Sequence, residues 1–348
     1  MDAPLSHISA AEFWMAYGRP GCPKAKRIRH AENGLGGEPG SFFETPSKKL
    51  AERYLCLGFL SDPVHVVVSC QSARRSILHL ASHSRTRAMP PGSIMEIEGV
   101  GSVCAPTLAF AQMGAVLDFP RLVWFGSALC GIFSMAIAGE DAAGEEDLPA
   151  RRQLVTAEKM RGFLSTAPRM PGAERARRAL PYVVERARSP MEVFAALMLS
   201  LPRRYGGFGL PRPRMNLRVD LPEWLHGGRG CDTAGFRGRR PYAECDMRFE
   251  HAGKAVYVDY HGADFHTGAA HLEHDALRAN ALEELQVVRF TITRTQALNL
   301  ALLEKAADQI RKSLGLRDDR RIGDLAERRR RLHRSLLAAS FGNLGKMV

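Results

Sequence analysis

Acidic side chains in the second half of the chain have the types and spacing that metal-dependent chemistry requires. Glu192 lies in the first turn of a predicted helix, Asp246 in one predicted strand and Asp259 at the end of the next. Because hairpin strands place residues of one face side by side, the two aspartates are expected to meet at a sheet edge. Converging carboxylates bind Mg²⁺ or Mn²⁺, which can hold a scissile phosphate and lower the pKa of a bound water.

Strand alternation adds a histidine to this set. His261 shares a face with Asp259, while Asp246 shares a face with Glu244 and Arg248. His261 and Asp259 are therefore expected to point together toward any ligand near Asp246. A histidine beside a metal-bound phosphate is suited to proton transfer.

Each of these residues also has a structural explanation. Glu192 could complete a capping box with Ser189, and Asp246 could be an exposed acid beside Arg248. Four histidines within 14 residues invite a zinc-cluster interpretation, but no paired cysteine accompanies them: His261, His266, His271 and His274.

The elements that must position these residues follow the order α-β-β-β-α-β-α, which predicts a mixed sheet with helices on both sides and an α/β (α+β) fold class. Hydrophobic periodicity and turn signals set the predicted helices at 189–201, 271–285 and 295–314, and the strands at 215–221, 243–249, 255–260 and 287–293.

The ordered set of motifs over residues 189–315 resembles the PD-(D/E)XK nuclease superfamily. Within it, the resemblance is to the branch that contains the very-short-patch mismatch repair endonucleases and related nuclease-like domains. The residues that carry it are Ser189-Pro190-Met191-Glu192, Leu201-Pro202, Gly206-Gly207, Asp246, Asp259-Tyr260-His261-Gly262, His266, Asp275-Ala276-Leu277-Arg278 and Val288-Arg289-Phe290.

This resemblance implies a restriction-endonuclease-like fold and a set of roles. Asp246 would be the main metal ligand, the Tyr260 carbonyl a second, and His261 and His266 would transfer protons. In the enzyme hypothesis built on these roles, Asp259 holds the metal together with Asp246, and Glu192 orients a metal-bound water. Two positions depart from the superfamily pattern, because Asp259 stands where glutamate is usual and His261 stands where lysine is usual.

The charge of the chain favours a polyanionic partner, DNA first. The 348 residues include 49 Lys and Arg against 37 Asp and Glu, a net charge of +12, and the pI is about 9.7. Arginine-rich composition also occurs without nucleic-acid binding in proteins from GC-rich genomes. The arginines expected to contact phosphate are Arg203, Arg204, Arg237, Arg239, Arg240 and Arg278. Residues 311–334 carry ten basic and four acidic side chains, and they form either a phosphate-contacting or a solvated helix.

The first half of the chain contains an ordered set of short motifs: Pro63 to Val68, Arg74-Arg75, His83, Pro91-Gly92-Ser93 and Val103 to Leu108. Their order resembles that in AbiEi-type antitoxin-like proteins, although the DNA-reading winged helix of that group is not recognisable. The predicted division is an AbiEi-like domain at 1–139, an acidic linker and basic helical connector at 140–188, a nuclease-like domain at 189–315 and a basic helical tail at 316–348.

Several classes of protein are disfavoured. Seven cysteines without a C-x-x-C pair argue against a disulfide framework and a zinc site, and with no signal peptide they favour a reducing cytoplasm. Residues 122–139 are uncharged, but their glycines and serines favour a buried helix with an extended lead-in over a membrane span. No membrane partner and no small-molecule cofactor are expected, and the sequence identifies no protein partner.

These features predict a metal-dependent endonuclease that hydrolyses DNA phosphodiester bonds in defence or repair, with Mg²⁺ or Mn²⁺ as the cofactor. An alternative is an inactive nuclease fold that binds DNA or regulates an antitoxin-like system. A third possibility is an interaction protein whose charge reflects genome composition alone.

Overall fold

The structure is a computed structural model, and it describes residues 2–27, 43, 45–75, 77–87, 89–135, 150–167, 169–220, 242–262, 287–317 and 324–342. The chain forms two compact units. Unit 1 contains Met1–Ala143, Asp147–Pro190 and Ser335–Val348, and unit 2 contains Gly144–Glu146 and Met191–Arg334. The predicted acidic linker at 140–147 lies outside the described residues.

Unit 1 combines helices with short strands. Its helices are α1 (His7–Ala16), α2 (Lys48–Leu55), α3 (Pro106–Met113), α4 (Phe119–Leu129), α5 (Ala157–Thr166) and α6 (Ala173–Ala179). Its strands are β1 (Ala25–Arg27), β2 (Val64–Val68), β3 (Leu80–Ser84), β4 (Ile94–Ile97) and β5 (Gly101–Cys104).

The strands of unit 1 pair in two groups that one extended segment joins. β1, β4 and β5 are antiparallel neighbours, while β2 and β3 are parallel. The backbone of Leu5 donates to Ser102 and accepts from Cys104, and the Ser6 amide donates to the His65 carbonyl. Residues 4–6 therefore lie between β5 and β2 and satisfy backbone groups of both.

The uncharged run at 122–139 contributes a buried helix, but the helix occupies its beginning. Asp118 caps α4 by accepting from the Arg121 amide, and Pro120 lies in the first turn, so the helix starts at Phe119. The predicted extended lead-in is therefore wrong. Trp124 is fully buried and donates its indole N–H to Ser340. No helix among the described residues is long and apolar enough to cross a membrane.

The basic helical connector predicted at 140–188 is not helical to its end. Its last helix, α6, ends at Ala179, and a single 3₁₀ turn, Leu180–Tyr182, follows it. Pro181 has no amide hydrogen and its ring obstructs helix continuation, so the chain leaves the helix there.

We expect Gly172→Ala to lower the free energy of unfolding by more than about 2 kcal/mol. Gly172 has a φ of 84°, and an added Cβ would lie 2.2 Å from the Ala111 carbonyl oxygen. Gly162→Ala in α5 is the matched control, because its Cβ would meet nothing within 4 Å and should stabilise the helix by about 0.5–1 kcal/mol. Urea unfolding of both variants tests this, and equal shifts would contradict the packing argument.

Unit 2 is built on a mixed four-stranded sheet. Its strands are β6 (Arg214–Asp220), β7 (Tyr242–His251), β8 (Lys254–His261) and β9 (Arg289–Thr293), and its helices are α7 (Pro190–Ser200), α8 (Arg294–Leu298), α9 (Leu300–Ser313) and α10 (Leu325–Phe341). The sheet order is β6-β7-β8-β9, with β8 and β9 parallel and the other pairs antiparallel. Pro190, the first residue of α7, and the residues of α10 from Ser335 onward belong to unit 1.

The hairpin predicted in this unit is present. The turn at Ala252-Gly253 joins β7 to β8, and Cys245, Met247 and Phe249 are buried on one face of β7. The single helix expected at 295–314 is instead divided, because Asn299 is extended and its side chain accepts from the amides of Ala301 and Leu302. Asn299 therefore caps a new helix. The molecule has the mixed α and β composition of the α+β class.

Candidate active site

The two aspartates of the β7–β8 hairpin come together as the alternation predicted, but on the two central strands of the sheet and not at the expected sheet edge. Met247 pairs with Val258, which brings Asp246 and Asp259 next to each other across the strands. Asp259 Oδ1 accepts from the Asp246 amide at 3.0 Å, and Asp246 Oδ2 accepts from the Tyr260 amide at 2.7 Å. Each carboxylate thus binds the backbone of the opposite strand, and this exchange fixes both acids at one place in the sheet.

The carboxylate of Glu192 is also held in unit 2. α7 buries nearly every residue around it, and Glu192 itself is buried. Its Oε2 accepts from Asn216 Nδ2 at 2.9 Å, and Asn216 lies on β6 with a φ of 48°. Asparagine tolerates this left-handed conformation better than most residues, so a polar side chain can turn toward the helix. Glu192 therefore has a partner that the capping-box interpretation did not include.

Arg289 reaches the two aspartates from β9. Its Nε lies 2.5 Å from Asp259 Oδ2, and both side chains are largely shielded from solvent. The parallel register pairs Tyr257 with Arg289 and Asp259 with Thr291, so the arginine reaches the acid from two residues away on the neighbouring strand. A buried carboxylate requires such a charge partner. We call Asp246, Asp259 and Arg289 the polar row.

The other predicted catalytic residues lie at or beyond the end of β8. Tyr260 is half-buried beside Asp259, and His261 is exposed and pairs in register with Thr293. His266 lies outside the described residues, so the proposed proton-transfer pair is described only in part. The same is true of the zinc-cluster alternative, because His271 and His274 also lie outside them.

The oxygen donors at and beside the two aspartates match a hard divalent cation in chemistry, although the set is small. Asp246, Asp259 and the Tyr260 carbonyl would supply oxygen ligands, which Mg²⁺ prefers. Within the described ranges, no group of three or more His, Cys, Asp or Glu side chains is arranged to hold a metal ion. Any cation here would therefore rest on two carboxylates, a backbone carbonyl and water.

The arginines assigned to DNA contact are described only in part. Arg203 and Arg204 lie in a 3₁₀ turn, where the exposed Arg204 guanidinium stacks 4.9 Å from the centre of the Tyr205 ring. Arg237, Arg239, Arg240 and Arg278 lie outside the described residues.

Acids partly offset the basic run that continues into α10. Arg330 and Arg331 both pair with Glu327, and Arg329 pairs with Glu304. The two exposed pairs with Glu327 contribute little stability, but all three pairs reduce the charge that the helix presents to a phosphate backbone.

Unit 1 contains a histidine cluster that the sequence did not predict as a site. His65 Nδ1 and His83 Nε2 lie 2.9 Å apart, and the His7 ring stacks on His83 with a centroid separation of 3.8 Å. Burial, followed by the charges of the other two histidines, lowers the pKa of His7 to about 3. Burial also lowers the pKa of His83 to about 4, with His65 and Arg74 adding to the shift. The cluster is therefore neutral in the folded protein near pH 7.

Sequence reasoning assigned no role to Asn216 or Arg289. Arg289 was part of the nuclease-like motif Val288-Arg289-Phe290, and a charged residue between apolar strand residues was the available signal. Nothing local indicated that its partner would be Asp259, because that contact depends on the parallel β8–β9 register.

Comparisons with protein-family models, with curated proteins and with solved structures gave no significant match for this chain.

Proposed function

We propose that unit 2 is a metal-dependent endonuclease that hydrolyses DNA phosphodiester bonds. The observation that carries the proposal is the meeting of Asp246 and Asp259 across β7 and β8, where the Tyr260 amide donates to Asp246. The helix, the antiparallel hairpin and the final parallel strand occur in the order expected for a restriction-endonuclease-like core, which supports this assignment.

In this proposal the chain's own residues bind the cation, contact the DNA backbone and move protons. A divalent cation at Asp246, Asp259 and the Tyr260 carbonyl would neutralise charge on the scissile phosphate and acidify a water. The exposed His261 lies at the end of β8, where it would exchange a proton with the attacking water or the leaving oxygen. Arg204 on the same unit would contact the phosphate backbone, which positions DNA without reading its sequence.

The Arg289–Asp259 ion pair favours a second function. A guanidinium bound at 2.5 Å occupies one carboxylate oxygen of the proposed metal site and supplies positive charge there. A chain in which arginine takes this place would keep the nuclease fold and bind DNA without cleaving it. The histidine at position 261, where the superfamily has lysine, agrees with this alternative.

A plasmid assay distinguishes the two functions. The full chain is incubated with supercoiled plasmid in Mg²⁺, Mn²⁺, Ca²⁺ or EDTA, and DNA binding is measured in parallel at several salt concentrations. The endonuclease predicts nicking with Mg²⁺ or Mn²⁺ and none in EDTA. Salt-sensitive binding without nicking under any metal supports the inactive DNA-binding protein. If the chain neither nicks the plasmid nor binds DNA at low salt, both functions are refuted.

Removing Arg289 should strengthen metal binding. In Arg289→Gln the guanidinium no longer competes for Asp259, so we expect the Mn²⁺ dissociation constant to fall about tenfold, as measured by calorimetry. Arg218→Gln is the matched control, because Arg218 pairs with the exposed Asp220 on β6 at 3.0 Å. Equal Mn²⁺ affinity in both variants would mean that Arg289 does not compete with a cation.

A further inference from the structure

Unit 1 contains a large open cavity that the proposed nuclease chemistry does not use. Its volume is about 1080 Å³, and its walls come from the end of α1, the segment before and into β4, the start of α3 and one face of α5 with the residues before it. Pockets for small ligands usually measure about 300–1000 Å³, so this one accommodates an organic molecule of substantial size. We call it the basic cavity.

The described charged side chains that line the cavity are all positive. Among the described residues that line it, six are cationic and none is acidic; the cations are Arg19, Lys24, Arg27, Arg151, Arg152 and Lys159. Four of these are exposed at the rim, and the described part of the chain supplies no ion pair to Lys24, Arg27, Arg152 or Lys159. Concentrated positive charge within a concave wall attracts anions more strongly than the same charge on a flat surface.

Arg151 is the most informative of these cations, since its side chain is only 9% exposed. Its Nε donates to the Phe133 carbonyl at 2.5 Å and its Nη2 to the Ala128 carbonyl at 2.8 Å, whereas Nη1 has no hydrogen-bond partner among the described residues. Burial lowers the pKa of Arg151 to about 10, so the guanidinium remains charged at neutral pH. A buried, charged donor without an acceptor is costly, and the guanidinium adds its positive charge to the wall of the cavity, which favours an anion there.

The backbone around Arg151 accommodates it closely. Gly18 has a φ of 100°, and a Cβ there would lie 2.9 Å from the Arg151 Cβ. A residue other than glycine would therefore displace the arginine stem, so the side chain is fixed at the wall by two carbonyls and by a close backbone contact. A cation fixed in this way is preorganised for a ligand.

The start of α3 adds a further positive feature to the same wall. Ala105, Pro106 and Thr107 line the cavity, and Ala105 provides no side-chain cap to the helix. The first turn of a helix presents unsatisfied amide hydrogens and the positive end of its dipole, which favours a negatively charged group.

The remaining walls are apolar and aromatic. Tyr17, Phe163 and Leu154 are half-buried at the cavity, where an uncharged ring or chain would contact them. A ligand that satisfies both parts of the wall has a phosphate group and an organic body. Inorganic phosphate lacks the body, and a simple hydrocarbon lacks the charge.

We infer that the basic cavity of unit 1 binds a nucleoside phosphate, either as a free nucleotide or as the 5′-phosphorylated end of a nucleic acid. The phosphate would lie near Arg151 and the start of α3, with Arg152 and Lys159 at the rim and the base against the aromatic wall. This site is independent of the polar row, because all of its residues belong to unit 1.

Calorimetric titration of the full chain tests the inference. The probes are AMP, ATP, adenosine and inorganic phosphate, together with one short oligonucleotide prepared with and without a 5′-phosphate. We expect at least one phosphorylated nucleoside to bind about tenfold or more tightly than adenosine and inorganic phosphate. Preference for the free nucleotides or for the 5′-phosphorylated oligonucleotide identifies the source of the ligand, and either supports the inference.

Variants test whether the nucleotide binds in the basic cavity. The double variant Arg152→Gln/Lys159→Gln removes two exposed rim charges without touching the core, and it should weaken nucleotide binding about tenfold. Arg161→Gln is the matched control, since Arg161 is exposed on α5 but does not line the cavity. Asp246→Asn should bind nucleotide as the wild type does, which separates this site from the nuclease proposal. Absence of nucleotide binding at millimolar concentration, or equal weakening by the rim and control variants, would overturn the inference.

Discussion

Asp246→Asn is expected to reduce Mg²⁺-dependent plasmid nicking by more than about 100-fold, because it removes one of the two negative charges that would hold the cation. The asparagine keeps a side-chain oxygen, which can still accept from the Tyr260 amide that Asp246 binds at 2.7 Å. The strand pairing should therefore persist, and the loss should fall on catalysis and metal affinity. Nicking rates and Mn²⁺ titration measure the two effects.

Asp220→Asn provides the matched control for this experiment. Asp220 ends β6 in the same sheet, but its carboxylate is exposed and pairs with Arg218. The substitution is chemically identical, so it should leave nicking within about twofold of wild type. If Asp246→Asn and Asp220→Asn retained equal activity, the nuclease proposal would be refuted.

The histidine cluster of unit 1 should make the folded protein sensitive to acid. An unfolded histidine has a pKa of 6.5, whereas burial and mutual repulsion hold the pKa of His7 at about 3 and that of His83 at about 4. The unfolded chain therefore binds more protons below pH 6.5, and stability falls as the pH decreases from 6.5 toward 4. For His7 alone, protonation in the unfolded chain lowers the free energy of unfolding by about 3 kcal/mol at pH 4.

His83→Gln tests the origin of that loss. The glutamine is neutral at every pH and removes both a titrating group and its repulsion on His65 and His7, so the decrease in stability between pH 6.5 and 4 should be smaller. Urea unfolding followed by tryptophan fluorescence includes the unfolding of unit 1, because two of the three tryptophans, Trp14 and Trp124, are buried there. His251→Gln, an exposed position at the hairpin, should keep the wild-type pH profile. Identical profiles for the two variants would exclude the cluster as the cause.

Local patterns predicted the hairpin of unit 2 well, for a clear reason. Burial of Cys245, Met247 and Phe249 on one face requires alternation, and the Ala252-Gly253 turn has positive φ at both residues. Both features depend on residues close together in the sequence, so the register that brings Asp246 beside Asp259 could be inferred from the chain alone.

The rest of the site depends on contacts that no local pattern records. Arg289 reaches Asp259 across a parallel pairing between segments 30 residues apart, and Asn216 reaches Glu192 from a strand residue with left-handed φ. The basic cavity likewise combines distant segments near Arg19, Pro106 and Arg151. Charges gathered by tertiary packing are invisible to periodicity, which reports only which face of an element is buried.

The division of unit 1 has a consequence for synthesis of the chain. Trp124 is buried against Ser340, which lies 216 residues later in the chain. The residues from Ser335 onward belong to unit 1. All but three residues of unit 2 lie between Pro190 and Ser335. During translation the ribosome must therefore produce the whole of unit 2 before unit 1 receives its last helical turns. Unit 1 therefore cannot make all of its native contacts until the residues that follow unit 2 have been synthesised, and until then the Trp124 indole lacks its hydroxyl acceptor.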